Sequence, residues 1–179
     1  MTLWPKSEIP LASLAGDRKA ALEPMRWDIA AALADQLVGI EPWARLGTQA
    51  QGLKHAMMLG PESQPRNLCL TLDGKPAGAM VVRDGWLRGP FLVLLAVLPK
   101  YQRQGLAQAA MAWWENDARR SHTRNLWLSV SGFNAPALQF YERLGFTQVA
   151  NLDGLLVNGV DEVLMRKRLT GPEPDSVNS

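Results

Sequence analysis

The chain has 179 residues, 47% of them hydrophobic, with 19 basic against 17 acidic side chains and a formal net charge of +2. That length suits one domain with its own core and is cramped for two, and the near balance of charge argues against a nucleic-acid surface. A single cysteine excludes an internal disulfide, and no apolar run approaches the roughly 20 residues that cross a bilayer as a helix.

Residues 1–18, with Pro5, Pro10 and Gly16 among polar neighbours, read as an arm. Lys6, Glu8 and two prolines among the first ten residues leave no apolar leader core, so a reducing cytoplasm is the expected location. Residues 20–26 predict a short strand, weakened by Pro24. Asp28 is placed to cap a helix carrying Ala30, Ala31, Ala32, Leu33, Leu37 and Val38. Glu41-Pro42-Trp43 interrupts it. A second helix is expected from near Thr48, through Leu53, Ala56, Met57 and Met58, to a stop at Gly60-Pro61. His55 and His122 stand at no metal-type spacing from a carboxylate or from Cys69, so no metal site is expected.

Residues 68–72 and 77–83 predict a hairpin around Asp73-Gly74, with Cys69 a buried small residue rather than a nucleophile. Asp84-Gly85 predicts the next turn. Residues 91–98 are apolar throughout and lie between Pro90 and Pro99, which suits a strand buried on both faces. A helix from Gly105 to about 120 sets Leu106, Ala109, Ala110, Trp113 and Trp114 on an apolar side and Glu115, Asp117, Arg119 and Arg120 on a polar one. The adjacent tryptophans cannot share one line of contact, so one is expected at the core margin. Residues 125–130 predict a strand, 135–144 a short helix stopped by Gly145, and 146–149 and 162–168 two closing strands. Arg166-Lys167-Arg168 reads as a solvated strand end, and residues 170–179 as a disordered tail. Residues 19–169 thus predict one α/β (α+β) domain with helices packed on a hairpin-rich sheet.

Two segments carry chemistry. In Val97-Leu98-Pro99-Lys100-Tyr101-Gln102-Arg103-Gln104-Gly105-Leu106-Ala107, a strand runs through a short polar loop into a helix. The free N–H groups of a helix start suit a phosphate. The loop lacks the Gly-Lys-Ser/Thr of a Walker A motif and the three glycines of a dinucleotide fingerprint. In Asn134-Ala135-Pro136-Ala137-Leu138-Gln139-Phe140-Tyr141-Glu142-Arg143-Leu144-Gly145-Phe146, Asn134 can cap the helix, Pro136 fits its first turn, and Tyr141 is either a core aromatic or a proton donor.

Together the two segments resemble the signatures of the GNAT superfamily of acyl-CoA-dependent N-acyltransferases, over about residues 20–169. The Glu41-Pro42-Trp43 break is similar to that in the branch of ribosomal-protein N-terminal acetyltransferases. The resemblance implies a mixed, mostly antiparallel sheet, splayed near the cofactor and flanked by helices. It implies acetyl-CoA as co-substrate and transfer of its acetyl group to a primary amine of a small molecule, peptide or protein. Leu95, Ala96 and Val97 would offer strand-edge backbone to the pantetheine arm. Arg103, Gln104, Gly105, Leu106, Ala107 and Gln108 would wrap the pyrophosphate, Gly105 allowing close approach. Asn134 would contact the pantetheine or hold the splayed strand end, and Tyr141 would protonate the departing thiolate. Some relatives carry a glutamate in the strand before the asparagine; here Ser129 stands there, with Ser131 close by. Glu41, Asp84, Asp153, Glu162 and His55 are the other candidates for the base, and the sequence does not choose among them. A protein that binds or senses acyl-CoA without turnover is the alternative. Neither membrane nor nucleic acid is expected as a partner; the oligomeric state stays open, with a homodimer one of the states the sequence allows.

Overall fold

The computed structural model describes residues 8–11, 14, 17–58 and 66–169. The expected helix stop at Gly60-Pro61, the tail and much of the arm lie outside them. An eight-stranded sheet has the order β1-β2-β3-β4-β5-β6-β8-β7. Its strands are β1 (Ile9–Pro10), β2 (Ala20–Pro24), β3 (Arg66–Leu72), β4 (Lys75–Trp86), β5 (Gly89–Val97), β6 (Asn125–Ser131), β7 (Thr147–Val157) and β8 (Val160–Arg168). Every neighbouring pair is antiparallel except β5 and β6. Helices α1 (Trp27–Leu37) and α2 (Ala50–Met58) cover one face, and α3 (Leu106–Arg120) and α4 (Ala135–Arg143) the other. No helix among the described residues is long and apolar enough to cross a membrane.

The alternation of side chains along the strands makes two cores. Leu68, Leu70, Leu72, Met80 and Val82 turn to the α3/α4 face with Leu106, Ala110, Met111 and Trp114. Cys69, Ala79 and Val81 turn the other way, onto Ala30, Leu33, Ala34 and Leu37 of α1 and Leu53 and Met57 of α2. Burial pushes the Cys69 thiol up to about 12, so it stays protonated at neutral pH and serves as packing. Trp114 is fully buried while Trp113 sits at the core margin, as the adjacent pair requires.

Several sequence expectations need correction. Helix α1 starts at Trp27, with Arg26 at its N-cap and no side-chain cap; Asp28 lies inside the first turn and pairs with Arg26 at 2.8 Å. The turn after β4 falls at Leu87-Arg88, both in the left-handed region (φ 34° and 62°), because β4 absorbs Asp84-Gly85 in a register shift between Arg83 and Trp86. Strand β5 is not buried throughout: Val93 is 44% exposed. Val81 pairs with Leu94 and Val82 with Leu92, so Val93 is an extra residue bulged out of the ladder. Strand β7 runs on to Val157, well past the expected end at 149, and β8 begins two residues early at Val160, the two meeting around Asn158-Gly159 with Val157 paired to Val160. Asp117, expected on the solvated side of α3, is 6% exposed and ion-paired with Arg66 of β3. Lys167 is no solvated end either: its ammonium meets Glu115 of α3 at 2.5 Å.

Candidate active site

The site begins where the sheet opens. Strands β5 and β6 pair only through Phe91 with Trp127 and Leu92 with Leu128. Gly89 lies so close to Asn125 at this closed end that a Cβ there would stand 2.1 Å from the Asn125 carbonyl oxygen. Beyond Leu92 the bulge at Val93 ends the pairing, and the two strands diverge. The remaining length of β5 still pairs with β4, from Leu94 with Val81 to Val97 with Gly78, while Ser129 to Ser131 of β6 still pair with β8. A gap lies between, with an unpaired backbone edge on each wall.

Leu95, Ala96 and Val97 do not all present their backbone to that gap. The Leu98 N–H donates to the Ala77 carbonyl, which turns Leu98 toward β4. The Ala96 carbonyl also points to β4, 2.1 Å from where a Cβ on Gly78 would stand. By strand alternation Val97 and Leu95 point the other way. The Val97 carbonyl accepts from Gln102 Nε2 at 2.9 Å. Leu95 and Val97 thus belong to the open edge, and Ala96 to the β4 ladder.

After β5 a single 3-10 turn over Pro99–Tyr101 feeds the loop. Arg103 (φ 60°) and Gly105 (φ 83°) both adopt left-handed backbone, which turns the chain sharply before α3. Gly105 is the N-cap of α3 and has no side chain to bond the helix start; Ala109 is the first residue whose N–H enters the helical ladder, to the Gly105 carbonyl. The N–H groups of Leu106, Ala107 and Gln108 therefore point outward from the helix end, where its dipole favours an anion. Gln104 is held from two sides: Arg18 Nη1 donates to its Oε1, and its Nε2 donates to the Lys100 carbonyl at 3.0 Å. Arg103 and Lys100 are exposed and cationic beside this start. A hollow of about 110 Å³ starts at Gln108 and runs between α3 and Leu144 and Phe146.

Across the gap, Asn134 caps α4 by accepting from the Ala137 N–H at 3.2 Å. Tyr141, buried in that helix, meets Phe140 and Phe146 edge to face at centroid distances of 5.1 and 5.9 Å. It shares a core with Leu106 and Val130, and with Leu95 and Val97 at the margin. Burial raises its phenol well above the usual tyrosine range. On the opposite face, Arg45 from the α1–α2 connection stands 4.2 Å from the centroid of the Phe133 ring, tying that connection to the loop after β6.

Ser129 and Ser131 are neighbours on the gap wall. Ser131 donates to the Glu162 carboxylate on β8 at 2.5 Å, and both residues are buried. Strand pairing brings Glu162 to this wall, and Glu41 is exposed in the α1–α2 connection. His55 is exposed on α2 and Asp153 on β7, while Asp84 pairs with Arg66 at 3.2 Å near the far end of β4. No cluster that could hold a metal ion occurs among the described residues.

The model of the Acetyltransferase (GNAT) family matches residues 29–146. The [ribosomal protein bS18]-alanine N-acetyltransferase of Escherichia coli K12 is 38% identical over 82 residues, 46% of this chain and 55% of that protein. The match thus spans about half the length of that curated relative. The crystal structure of the ribosomal-protein-S18-alanine N-acetyltransferase from Escherichia coli superposes with a TM-score of 0.67 over 87% of this chain and 98% of that one, at 22% identity. Mycobacterium smegmatis RimJ, solved in complex with CoA-disulfide, superposes at 0.65 over 92% and 88% of the two chains, at 19% identity. At these identities the solved structures show a common fold.

Proposed function

This chain belongs to the GNAT acetyltransferase family, and from that premise we propose that it transfers an acetyl group from acetyl-CoA directly to a primary amine. The observation that carries the reading is the gap between β5 and β6, with an uncapped helix start at one end and a buried tyrosine on α4 beside it. The Leu95 backbone and the Val97 N–H face the open edge, where they can pair with the amides of a pantetheine arm as an added strand would, while the Val97 carbonyl is engaged by Gln102. The N–H groups from Arg103 to Gln108 and the Arg103 guanidinium suit a pyrophosphate. A donor threaded this way would bring its thioester toward the wall formed by Ser129 and Ser131.

The chemistry then needs three things of the protein. The amine must lose a proton, because only the free base attacks, and a lysine-type amine near pKa ~10.4 needs more help than an α-amine near ~8. The tetrahedral oxyanion needs a backbone N–H, which the unpaired β5 edge can supply. The departing thiolate needs a proton, and Tyr141, kept neutral by burial, has one to give. A thiolate released into the same apolar surroundings is itself driven to take up a proton, as burial does to the Cys69 thiol. No covalent enzyme intermediate is required. We place the reaction in the cytoplasm, away from membranes and nucleic acid, with a homodimer as the alternative to a monomer. The test is thiol release from acetyl-CoA across a panel of small amines and peptides with free α-amines or lysines. Turnover with an amine class, with the acetylated product found by mass spectrometry, supports the proposal. Stabilisation by acetyl-CoA with silence across the panel overturns it in favour of an acyl-CoA sensor.

A further inference from the structure

Glu162 is a buried carboxylate that packing does not explain. It is 2% exposed on β8, and it takes part in no ion pair among the described residues. Its hydrogen-bond partner is a neutral hydroxyl, Ser131 Oγ. Burying a carboxylate on so little support is costly, and a fold needing only a strand pair at this register would be served by an apolar residue. The location suggests a use. Val163 and Met165 of β8 turn into the α3/α4 core, so Glu162 faces the opposite side of the sheet. Leu126, Leu128 and Val130 of β6 do the same, so Ser129 and Ser131 share the face of Glu162. That face is where the α1–α2 connection, through Arg45, reaches Phe133. Ser131 stands on the wall of the gap, where β6 has lost its β5 partner.

We infer that Ser131 and Glu162 form a proton relay that deprotonates the incoming amine, in place of the strand glutamate for which this chain has Ser129. The inference rests on the acetyl-transfer reading. The ammonium N–H donates to Ser131 Oγ; as that proton crosses, the Ser131 hydroxyl proton passes to the Glu162 carboxylate. The amine gains its lone pair, Ser131 is regenerated as a hydroxyl, and Glu162 becomes a neutral acid that returns its proton to water after product leaves. The amine then attacks the thioester carbon and the C–S bond breaks. Tyr141 protonates the thiolate and is reprotonated by the second proton lost from nitrogen. Ser131 touches the substrate; Glu162, acting through it, is a positioning residue that holds the proton. The charged groups on the surrounding elements are Asp161 beside it on β8, Asp153 next to its register partner Leu152 on β7, Arg166 along the same face of β8 over Trp127, and Arg45 over Phe133.

The test is the pH profile of kcat/KM for Glu162→Gln, Ser131→Ala and Ser131→Thr, with a lysine-type amine and an α-amine, alongside acetyl-CoA affinity and thermal stability. Glu162→Gln and Ser131→Ala should lose about 100-fold with the lysine-type amine at neutral pH. They should lose less with the α-amine, and should recover as pH rises toward the amine's own pKa, with acetyl-CoA affinity unchanged. Ser131→Thr, which keeps the hydroxyl, should restore most of the rate. If Glu162→Gln does not fold, the Ser131→Ala and Ser131→Thr pair decides. Profiles that superpose on the wild type in shape overturn the relay while leaving acetyl transfer intact. A wild type that turns over no amine overturns the transfer reading and the relay with it.

Discussion

Tyr141 is held in place by two aromatic edges, from Phe140 and Phe146, and makes no side-chain hydrogen bond among the described residues. Its phenol is free to point at a ligand without giving up an internal partner. Tyr141→Phe keeps the ring contacts and removes the proton, so kcat should fall about 100-fold while acetyl-CoA affinity and stability hold. The raised ionisation of Tyr141 also sets a sign. The folded protein keeps the phenol protonated where the unfolded chain, near its ordinary 10.0, begins to lose it. The protein therefore binds more protons folded than unfolded as pH climbs past that value, and stability falls there rather than on the acid side. Catalysis by Tyr141 should not decline anywhere below pH ~10. The Asn134 cap and the place of Tyr141 on α4 were legible because each sits at a fixed position in one short motif. Glu162 was not separable from Glu41, Asp84, Asp153 or His55, because its partner Ser131 is 31 residues away and only strand pairing brings them together.

At the scale of elements, the two ends of α3 differ in how they are built. Its start is shaped by Gly105, whose φ of 83° an L side chain rarely adopts, and a Cβ there would come within 3.4 Å of Leu14 Cδ2. Gly105→Ala should cost about 1–2 kcal/mol of stability and raise KM for acetyl-CoA several-fold, as steady-state kinetics and urea unfolding would show. Farther along, Asp117 fastens α3 to β3 through Arg66; the two side chains are 9% and 11% exposed. Asp117→Ala removes this ion pair from the Arg66 guanidinium, which Asp84 still reaches at 3.2 Å. We expect a loss of about 3 kcal/mol with KM for acetyl-CoA unchanged, which separates the structural end of the helix from the ligand end. Local signals found most elements and misjudged those that tertiary pairing extends. Asp73-Gly74 does turn the β3–β4 hairpin. Asp84-Gly85, of the same composition, is carried inside β4, because Trp86 packs edge to face on Phe91 across the ladder at 5.4 Å. The turn at Asn158-Gly159 was an available signal of the same kind and explains the length of β7 and β8.

Over the whole molecule, one sheet does two things. From β1 to β5, and from β6 through β8 to β7, neighbouring strands pair along ladders broken by local register shifts, whereas β5 and β6 pair at two positions alone among the described residues. The failure is built from local features: the close approach at Gly89, the bulge at Val93, and the turn of the chain into α3 at the end of β5. The apolar run of residues 91–98 announced a strand but not the bulge, since a bulge is a matter of register against β4 and leaves no mark on hydropathy. The two short pairs at the closed end are parallel, so the gap opens at the C-terminal ends of both strands, beside the loop into α3 on one side and the loop into α4 on the other. A ligand spanning both loops would close the break from within.

The exchange of individual backbone amides with and without acetyl-CoA reads that arrangement directly. Binding should slow exchange at Leu95 and Val97 and across Arg103 to Gln108, while Ala96, already paired with β4, changes little. Unchanged exchange at Leu95, Val97 and the start of α3, with protection appearing elsewhere, would contradict the placement of the acetyl donor between β5 and β6.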